Sequence, residues 1–447
     1  MSTRLHVISH TIAKVLLSTL LFTGLCTAGF FVAPSAYAGG RHSIQTRAPA
    51  QKGRFLVLGG GALSNFNDPV YSEVVSLAGG KGVARIGIIT AASITPRKDG
   101  QFYVDLFLKH YGVADAEWIP IDRAHLNNTK SPKVIAQINS MTGFFFGGGD
   151  QSRLVFCMFY NGTPAPGNHP TPSPALKAII AKYDAGAVVG GTSAGSDAQV
   201  KAPMITGGES YEAIRNGAFP YIQEDHLNDL SYNPAGGFGL FTYGLLDTHF
   251  TERGRQGRLI RLAADTHTPM AYGIDQDTGL LITNADSPQA QMQVIGQHGV
   301  YILDLSKATI DKKGPFWSIF NVKVTYLTVG DSFDPNTKTV TIANWKTPLA
   351  GHEQHNHPRP PTHDIFSSFR DHGGKNGQGV PNAFTVFSTN LFDSRAATTY
   401  GLTYEDHPTF EVQMIKLKDA SGYIGAFQGM QYISYIKLTV NIFTYRQ

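Results

Sequence analysis

Gly186-Ala187-Val188-Val189-Gly190-Gly191-Thr192-Ser193-Ala194-Gly195-Ser196 decides how the rest of the chain is read. An apolar, strand-like run from Ala187 to Val189 ends in glycines, Ser193 stands between Gly191 and Gly195, and residues from Ala194 to Val200 suit a helix. Strand, sharp turn and helix are what a Gly-x-Ser-x-Gly nucleophile elbow requires. The glycines let the turn close and hold the Ser193 Oγ at the carboxyl edge of a sheet. Helix N-terminal amides such as that of Ala194 then stand where an oxyanion would form. The same letters also describe a Gly/Ser-rich loop, so the weight of the reading falls on what surrounds them.

Upstream, short apolar runs alternate with helical segments. Strands are expected at Phe55 to Leu58, Ala84 to Thr90, Glu117 to Ile121 and Gly143 to Phe146. Helices are expected at Pro69 to Ala78, Phe102 to Tyr111, Pro132 to Met141, Gln151 to Tyr160 and Pro174 to Asp184. That alternation predicts an α/β fold, a mainly parallel, doubly wound sheet whose ligands sit beyond the carboxyl ends of the strands. Three such ends are glycine-rich: Gly59 to Gly61, Gly147 to Gly149 and Gly190 to Gly195. None has the Gly-x-Gly-x-x-Gly or Gly-Lys-Ser/Thr pattern of a phosphate cradle. Gly147-Gly148-Gly149-Asp150-Gln151 reads instead as backbone approaching a reacting carbonyl, with the Gly149 amide on the oxyanion and Gln151 turned to substrate. Asn161 to Pro174, with five prolines, is a stiff surface loop.

Downstream, Asp247-Thr248-His249-Phe250-Thr251-Glu252-Arg253-Gly254-Arg255-Gln256-Gly257-Arg258 supplies the other half of the chemistry. A serine hydroxyl needs a base, and His249, beside a strand-like apolar pair, is the best-placed imidazole. Glu209 could hold it in its working tautomer, with Asp247, Glu212 and Glu252 as competing carboxylates. Arg253, Arg255 and Arg258 lie within six positions, and guanidinium forks bind carboxylates bidentately, which suggests an anionic, aspartate-containing substrate. A solvated helix face is the plainer reading of the same arginines.

With these motifs in order, residues 54–300 resemble the cyanophycinase branch of the family S51 serine peptidases, relatives of aspartyl dipeptidases and, more distantly, of class I glutamine amidotransferases. The resemblance rests on the Gly-Gly-x-Gln turn, the Gly-Thr-Ser-Ala-Gly elbow and the Asp-x-His-Phe block trailed by arginines. It implies a flavodoxin-like sheet, Ser193 as nucleophile, His249 as base and Glu209 as third member. It also implies that Gln151, Asp247, Arg253, Arg255 and Arg258 line the substrate pocket. Thr248 departs from the glutamine frequent there, and its shorter reach leaves the substrate less determined than the reaction. The implied activity is cleavage of cyanophycin, a polyaspartate carrying arginine on its side chains, into β-aspartyl-arginine dipeptides. Two other readings compete: an inactive exported binding protein of the same fold, and a general α/β-hydrolase esterase, which would need an early His-Gly-Gly-Gly loop that is not here.

The first 38 residues predict a secretory signal, with Arg4 and Lys14 before and within an apolar stretch and Ala36-Tyr37-Ala38 as cleavage site. A flexible lead-in, 39–53, would follow. The 37 Lys and Arg against 33 Asp and Glu give +4, and loss of Arg4 and Lys14 leaves +2. That balance offers no electrostatic case for nucleic acid. After cleavage only Cys157 remains of two cysteines, so no disulfide is expected within the chain. The expected location is secreted or periplasmic, with no membrane partner after cleavage, no cofactor, and a homodimer left open. From 301 to 447, runs such as Val322 to Leu327, Thr339 to Ile342, Phe410 to Ile415 and Tyr435 to Val440 alternate with period two and predict an antiparallel β extension packed on the catalytic sheet. The His352-Glu353-Gln354-His355-Asn356-His357 stretch within it lacks a catalytic metal spacing, and no metal is expected.

Overall fold

A computed structural model describes residues 53–66, 68–160, 170–221, 227–368 and 380–446. The expected signal, nearly all of the lead-in and residues 161–169 of the proline-rich loop lie outside the described residues.

Five parallel strands carry the site: β1 (Phe55–Gly59), β2 (Arg85–Ile89), β3 (Asp115–Trp118), β4 (Gly143–Phe146) and β5 (Val188–Thr192), ordered β1-β5-β4-β2-β3. Side chains on a strand alternate between faces, and β1 shows both faces covered. Phe55 and Val57 pack with Val70, Val74 and Phe107 on one side. Leu56 and Leu58 pack with Val134, Ile138, Leu176 and Ile179 on the other. The covering helices begin where short polar residues and proline dictate. Asp68 accepts from Val70 N ahead of Pro69–Leu77, and Ser173 accepts from Leu176 N ahead of Pro174–Asp184.

Three boundaries differ from expectation. The helix expected at Phe102 starts six residues earlier, Pro96–Leu106, and runs on through one wide turn, Phe107–Tyr111, because Pro96 is a good first helical residue. The strand expected to reach Ile121 ends at Trp118, since Pro120 has no N–H for a ladder. The helix after Ser193 is a single turn, Ala194–Asp197.

Beyond β1 the first sheet turns antiparallel, through Thr278–Thr283, Gln291–Gly296, Ser332–Asp334 and Thr339–Thr341. A second sheet starts with β6 (Leu245–Thr248) beside β7 (Met270–Ile274), which are parallel, and continues antiparallel through Gly299–Asp304, Ser318–Thr328, Met430–Thr444, Phe410–Ile415 and Thr398–Leu402. Residue 300 is therefore no boundary. The strand Gly299–Asp304 bonds to β7 on one side and to Ser318–Thr328 on the other, and Gln51–Gln447 form one compact unit. The extension also holds a helix, Ala383–Phe392, which period-two reading missed; Phe384, Phe387 and Leu391 bury its apolar face. Among the described residues no helix is long and apolar enough to cross a membrane, and no cluster of His, Cys, Asp and Glu is arranged to hold a metal. Cys157 is buried, and burial pushes its thiol up to about 11.

One buried ion pair ties the extension together. Lys346 Nζ stands 2.7 Å from Asp331 Oδ2, neither side chain exposed, and also donates to Thr328 Oγ1 (2.8 Å) and Ser434 Oγ (3.0 Å). Removing one partner strands the other charge in the interior, so Lys346→Met should cost about 3 to 5 kcal/mol. Chemical denaturation of the variant would check this, and a loss below about 1 kcal/mol would show that the pair contributes little.

Candidate active site

The chain reverses at Ser193 in a conformation few residues adopt, φ 54° and ψ −125°. Backbone contacts hold it there. Ser193 N donates to Gly59 O (3.0 Å), and Ser193 O accepts from Ser196 N (2.8 Å) and Asp197 N (3.0 Å). Ser196 Oγ donates to the same Gly59 carbonyl (2.8 Å). The turn is pressed against β4 so closely that a Cβ on Gly195 would overlap the Phe146 carbonyl. The elbow is thus wedged between the ends of β1 and β4, which is why glycine is required there.

His249 leaves the end of β6 with φ 48° and donates its N–H to Gly60 O (2.8 Å). Its ring lies directly on Gly61, where a Cβ would overlap the imidazole and where φ is +100°. The Gly59 to Gly61 run is therefore the floor under the histidine. From that seat His249 Nε2 reaches Ser193 Oγ at 2.8 Å.

The far side of the imidazole departs from the sequence reading. The side-chain amide of Gln276 stands 2.8 Å from Nδ1, and neither Glu209 nor Glu212, Asp247 or Glu252 touches the ring. Glu209 lies in the wall of a neighbouring cleft because its backbone caps the helix Ser210–Asn216. Glu252 accepts instead from Gln276 N (3.1 Å), and burial followed by the nearby Asp275 charge pushes its carboxyl up to about 8. A neutral amide serves Nδ1–H only through Oε1, which a half-turn of the Gln276 side chain presents; in that orientation Nε2 is free to accept the Ser193 proton. Gln276 follows β7, a strand parallel to β6 that the sequence reading did not name, and so stands at the carboxyl edge where ligands are expected.

Gly148 lies against the nucleophile, its Cα side facing Ser193 Cβ, and the turn is set by Gly147 N donating to Ile89 O (2.8 Å) and Asp150 N to Ala92 O (3.0 Å). Gly149 follows Gly148 in this turn, and Ala194 opens the helix after Ser193. Gln151 is tied down, its Nε2 donating to Ile205 O at 2.6 Å.

The arginines divide their work. Asp247 has no exposed surface and takes Arg258 bidentately, Nε at 2.8 Å and Nη2 at 2.7 Å, together with Arg255 Nη1 at 3.0 Å. Arg258 Nη1 donates further to Gly208 O (2.7 Å). Asp247 and Arg258, both expected to line the pocket, are thereby turned inward, because a buried carboxylate demands cations of its own. Burial works against the Asp247 charge, but Arg258 and Arg255 outweigh it and hold the carboxyl below the usual range. Thr248 is also fully buried and donates to Asp197 Oδ2 (2.9 Å). Burial, then the Asp247 charge, pushes Asp197 up to about 8. Of the three arginines, Arg253 and Arg255 line the neighbouring cleft that holds Glu209.

Burial first, and then the charges of Arg253 and Arg255, push His249 down to about 3, with Asp247 opposing. The imidazole is neutral, as a base must be, but a weak one.

A serine and a neutral imidazole in hydrogen-bond contact at the carboxyl edge of a parallel sheet are the parts of a serine hydrolase. No family model matches the chain. Cyanophycinase of Synechococcus elongatus is 29% identical over 297 residues, 65% of this chain and 81% of that protein. Cyanophycinase of Nostoc sp. is 29% identical over 309 residues, 67% of this chain and 92% of that protein, so the rest of this chain lies outside that match. Among solved structures, a peptidase from an acI-B1 Actinobacterium overlaps with a TM-score of 0.41 at 17% identity, covering 63% of this chain and 97% of that one. Over about two thirds of its length the chain is thus similar to the cyanophycinases.

Two expectations follow. Gly61→Ala should fold yet lose about a hundredfold or more in kcat, because the imbedded methyl displaces the ring from Ser193. Unchanged turnover in that variant would mean that the His249 seat is unimportant. The second concerns pH. His249 in the folded chain titrates at about 3 against 6.5 for an ordinary histidine, so kcat/KM should stay level from neutral pH to about 4 and fall below. Folding stability runs the same way: the unfolded chain takes up this proton first, so stability is intact above pH 6.5 and declines as pH falls toward 3. Gln276→Glu puts a carboxylate against Nδ1 and should move the activity midpoint upward. A midpoint near 6.5 in the unmutated protein, or none shifted by Gln276→Glu, would contradict this account.

Proposed function

We propose that this protein is an exported serine peptidase that hydrolyses cyanophycin to β-aspartyl-arginine dipeptides. The observation that carries the reading is the 2.8 Å contact of Ser193 Oγ with His249 Nε2 at a strained elbow. His249 Nε2 takes the Ser193 proton as Oγ bonds to the scissile carbonyl carbon. The carbonyl oxygen gains the negative charge beside the N–H groups of Gly149 and Ala194. The imidazolium then returns its proton to the leaving amine as the C–N bond breaks, and water repeats the sequence to free the acyl group. Gln276 fixes the ring through Nδ1 and, being neutral, lends the imidazolium less support than a carboxylate would.

Arg253 and Arg255 supply the substrate preference. After burial, they are what depresses the imidazole in the free enzyme, and a carboxylate bound beside them offsets their share, so an aspartyl substrate strengthens the base that attacks it. A neutral ester has no such action. The cyanophycinase relatives support the choice of polymer, and the apolar segment before Ala38 supports export.

Ser193→Ala should lose hydrolysis of cyanophycin by several orders of magnitude without unfolding. Arg253→Met keeps most of the stem's packing and removes the fork while leaving the Asp247 pair with Arg255 and Arg258 in place, with an expected loss of about ten- to hundredfold in kcat/KM on aspartyl substrate. The same variant on a neutral ester of similar size should change little. Equal loss on both would favour a general hydrolase, and near-normal turnover by folded Ser193→Ala would remove the mechanism.

A further inference from the structure

We propose that Tyr326 of the C-terminal extension and the buried carboxylate it bonds, Asp275, are positioning residues for the catalytic base: through them the extension sets where His249 and Gln276 meet. This rests on the peptidase reading of Ser193 and His249. Asp275 follows the last residue of β7, precedes Gln276 and is buried. Its two carboxylate oxygens serve different segments. Oδ1 accepts from Thr251 N at 2.9 Å, two residues after His249. Oδ2 accepts from Tyr326 Oη at 2.8 Å and from Gly299 N at 3.3 Å. One carboxylate thus joins the chain that leaves the base to an extension strand, Ser318–Thr328, while its own backbone leads into the residue that contacts Nδ1.

The backbone around Gln276 is pinned on each side. Asp275 N donates to Gly299 O (3.1 Å), Gln276 N to Glu252 Oε2 (3.1 Å), and Asp277 N to the carbonyl of Gly61 (3.0 Å), the glycine under the imidazole. The Gln276 side chain starts from a fixed point, so the variable left to set is the position of His249 against it. Phe250, the next residue, lays its ring on Gly273 of β7, where a Cβ would overlap it. On its other side Phe250 packs on Tyr301, ring centroids 5.3 Å apart. Tyr301 Oη contacts Thr385 Oγ1 (2.7 Å), and Thr385 Oγ1 contacts Thr251 Oγ1 (2.8 Å). Phe250 and Thr251 are thereby gripped between β7 and the extension by two hydroxyl ties, Tyr326 through Asp275 and Thr385 directly.

The Tyr326 hydroxyl is itself held in place. Its ring lies on Gly299, where a Cβ would overlap it, and its centroid is 4.5 Å from that of Tyr301. Burial pushes the Asp275 carboxyl up, and the bonds from Thr251 and then from Tyr326 oppose that push, so the hydroxyl helps keep Asp275 in the form that accepts on both oxygens. Neither Tyr326, Asp275 nor Thr385 lines the cleft that Arg253 and Arg255 line, so these residues act on the reaction through the base and not through substrate. A nucleophile and base in hydrogen-bond contact tolerate little displacement, since a shift of about 1 Å costs about a hundredfold in rate.

The test compares the full chain carrying Tyr326→Phe, which keeps the ring and removes only the hydroxyl, with Ser434→Ala, which removes a buried hydroxyl of the extension that bonds Thr328 and Lys346 instead. Tyr326→Phe should lose about ten- to hundredfold in kcat on cyanophycin with KM little changed. Ser434→Ala should keep its kcat although its melting temperature falls. Thr385→Val should lose kcat as Tyr326→Phe does, and Thr385→Ser, which keeps the hydroxyl, should restore it. Full kcat in Tyr326→Phe, or equal losses in Tyr326→Phe and Ser434→Ala, would overturn the proposal. The ring nitrogen NMR signals of His249 give a readout independent of turnover: they should move in Tyr326→Phe and stay in place in Ser434→Ala. If the unmutated protein cleaves no polymer and a fluorophosphonate leaves Ser193 unlabelled, the peptidase reading falls; the positioning of His249 is then decided by those signals, and their staying unmoved in Tyr326→Phe overturns it.

Discussion

A carboxylate with no exposure to water, Asp247, is bound by two guanidinium groups, and the histidine end of the site is built on that contact. Burying a lone carboxylate costs several kcal/mol, so Asp247 holds Arg258 and Arg255 tightly. Each arginine passes the constraint on. Arg258 reaches Gly208 O and thereby sets the turn that leads into Glu209 and the helix Ser210–Asn216. Arg255 reaches Thr248 O, one residue before the base. Strand β6, the histidine turn, the helix Gln256–Asp265 and the cleft wall are thus positioned by one ionic knot. The same three charges, together with Arg253, set the local potential: three cations near an imidazole, partly offset by one anion.

Much of the fold was legible because the signals were local. Period-two and helix-period patterns, with Pro69, Pro132 and Pro174 as helix starts, placed the parallel strands to within a few residues. The Gly-x-Ser-x-Gly elbow located Ser193, and the Asp-x-His-Phe block located His249. What escaped depends on pairing across long sequence separation. Gln276 reaches His249 only because β7 lies parallel to β6, and no pattern within Asp275-Gln276-Asp277 announces an imidazole contact. Asp247 and Arg258 were legible as a charge cluster, but burial decides whether charges face substrate or one another, and burial is a property of the packed chain. Glu209 was chosen by charge and spacing; its side chain falls in the cleft wall because the backbone at Gly208 is drawn to Arg258.

The extension changes meaning once the sheets are seen. Period two correctly predicted antiparallel strands, and the absence of a linker near 300 anticipated that they would pack on the catalytic part. Their pairing goes further than packing, since Ser332–Asp334 and Thr339–Thr341 extend the first sheet while Ser318–Thr328 extends the second. A segment that contributes strands to both sheets cannot detach from either without breaking a ladder. The loop after His249 therefore rests on the extension through Thr385 and the Phe366 backbone, and loss of the extension would expose apolar faces of both sheets.

The Arg253 and Arg255 charges pose an apparent conflict, because they weaken the base that the mechanism needs. An imidazole pushed down to about 3 is protonated with difficulty, and the step in which Nε2 takes the Ser193 proton creates an imidazolium beside two guanidinium groups. The conflict resolves if charge is counted with substrate in place. A bound carboxylate at the arginines adds a negative charge to a cluster in which Asp247 already faces Arg255 and Arg258, and the closing ligand also removes water, so the change in potential acts across a low-dielectric gap. The base then strengthens only when an anionic substrate is seated. Gln276 fits this scheme better than a carboxylate would, since an anion fixed at Nδ1 would support the imidazolium with or without substrate. Neutrality at Nδ1 leaves burial and the surrounding charges, the substrate's own among them, to set the strength of His249, and specificity is expressed in the chemical step as well as in binding.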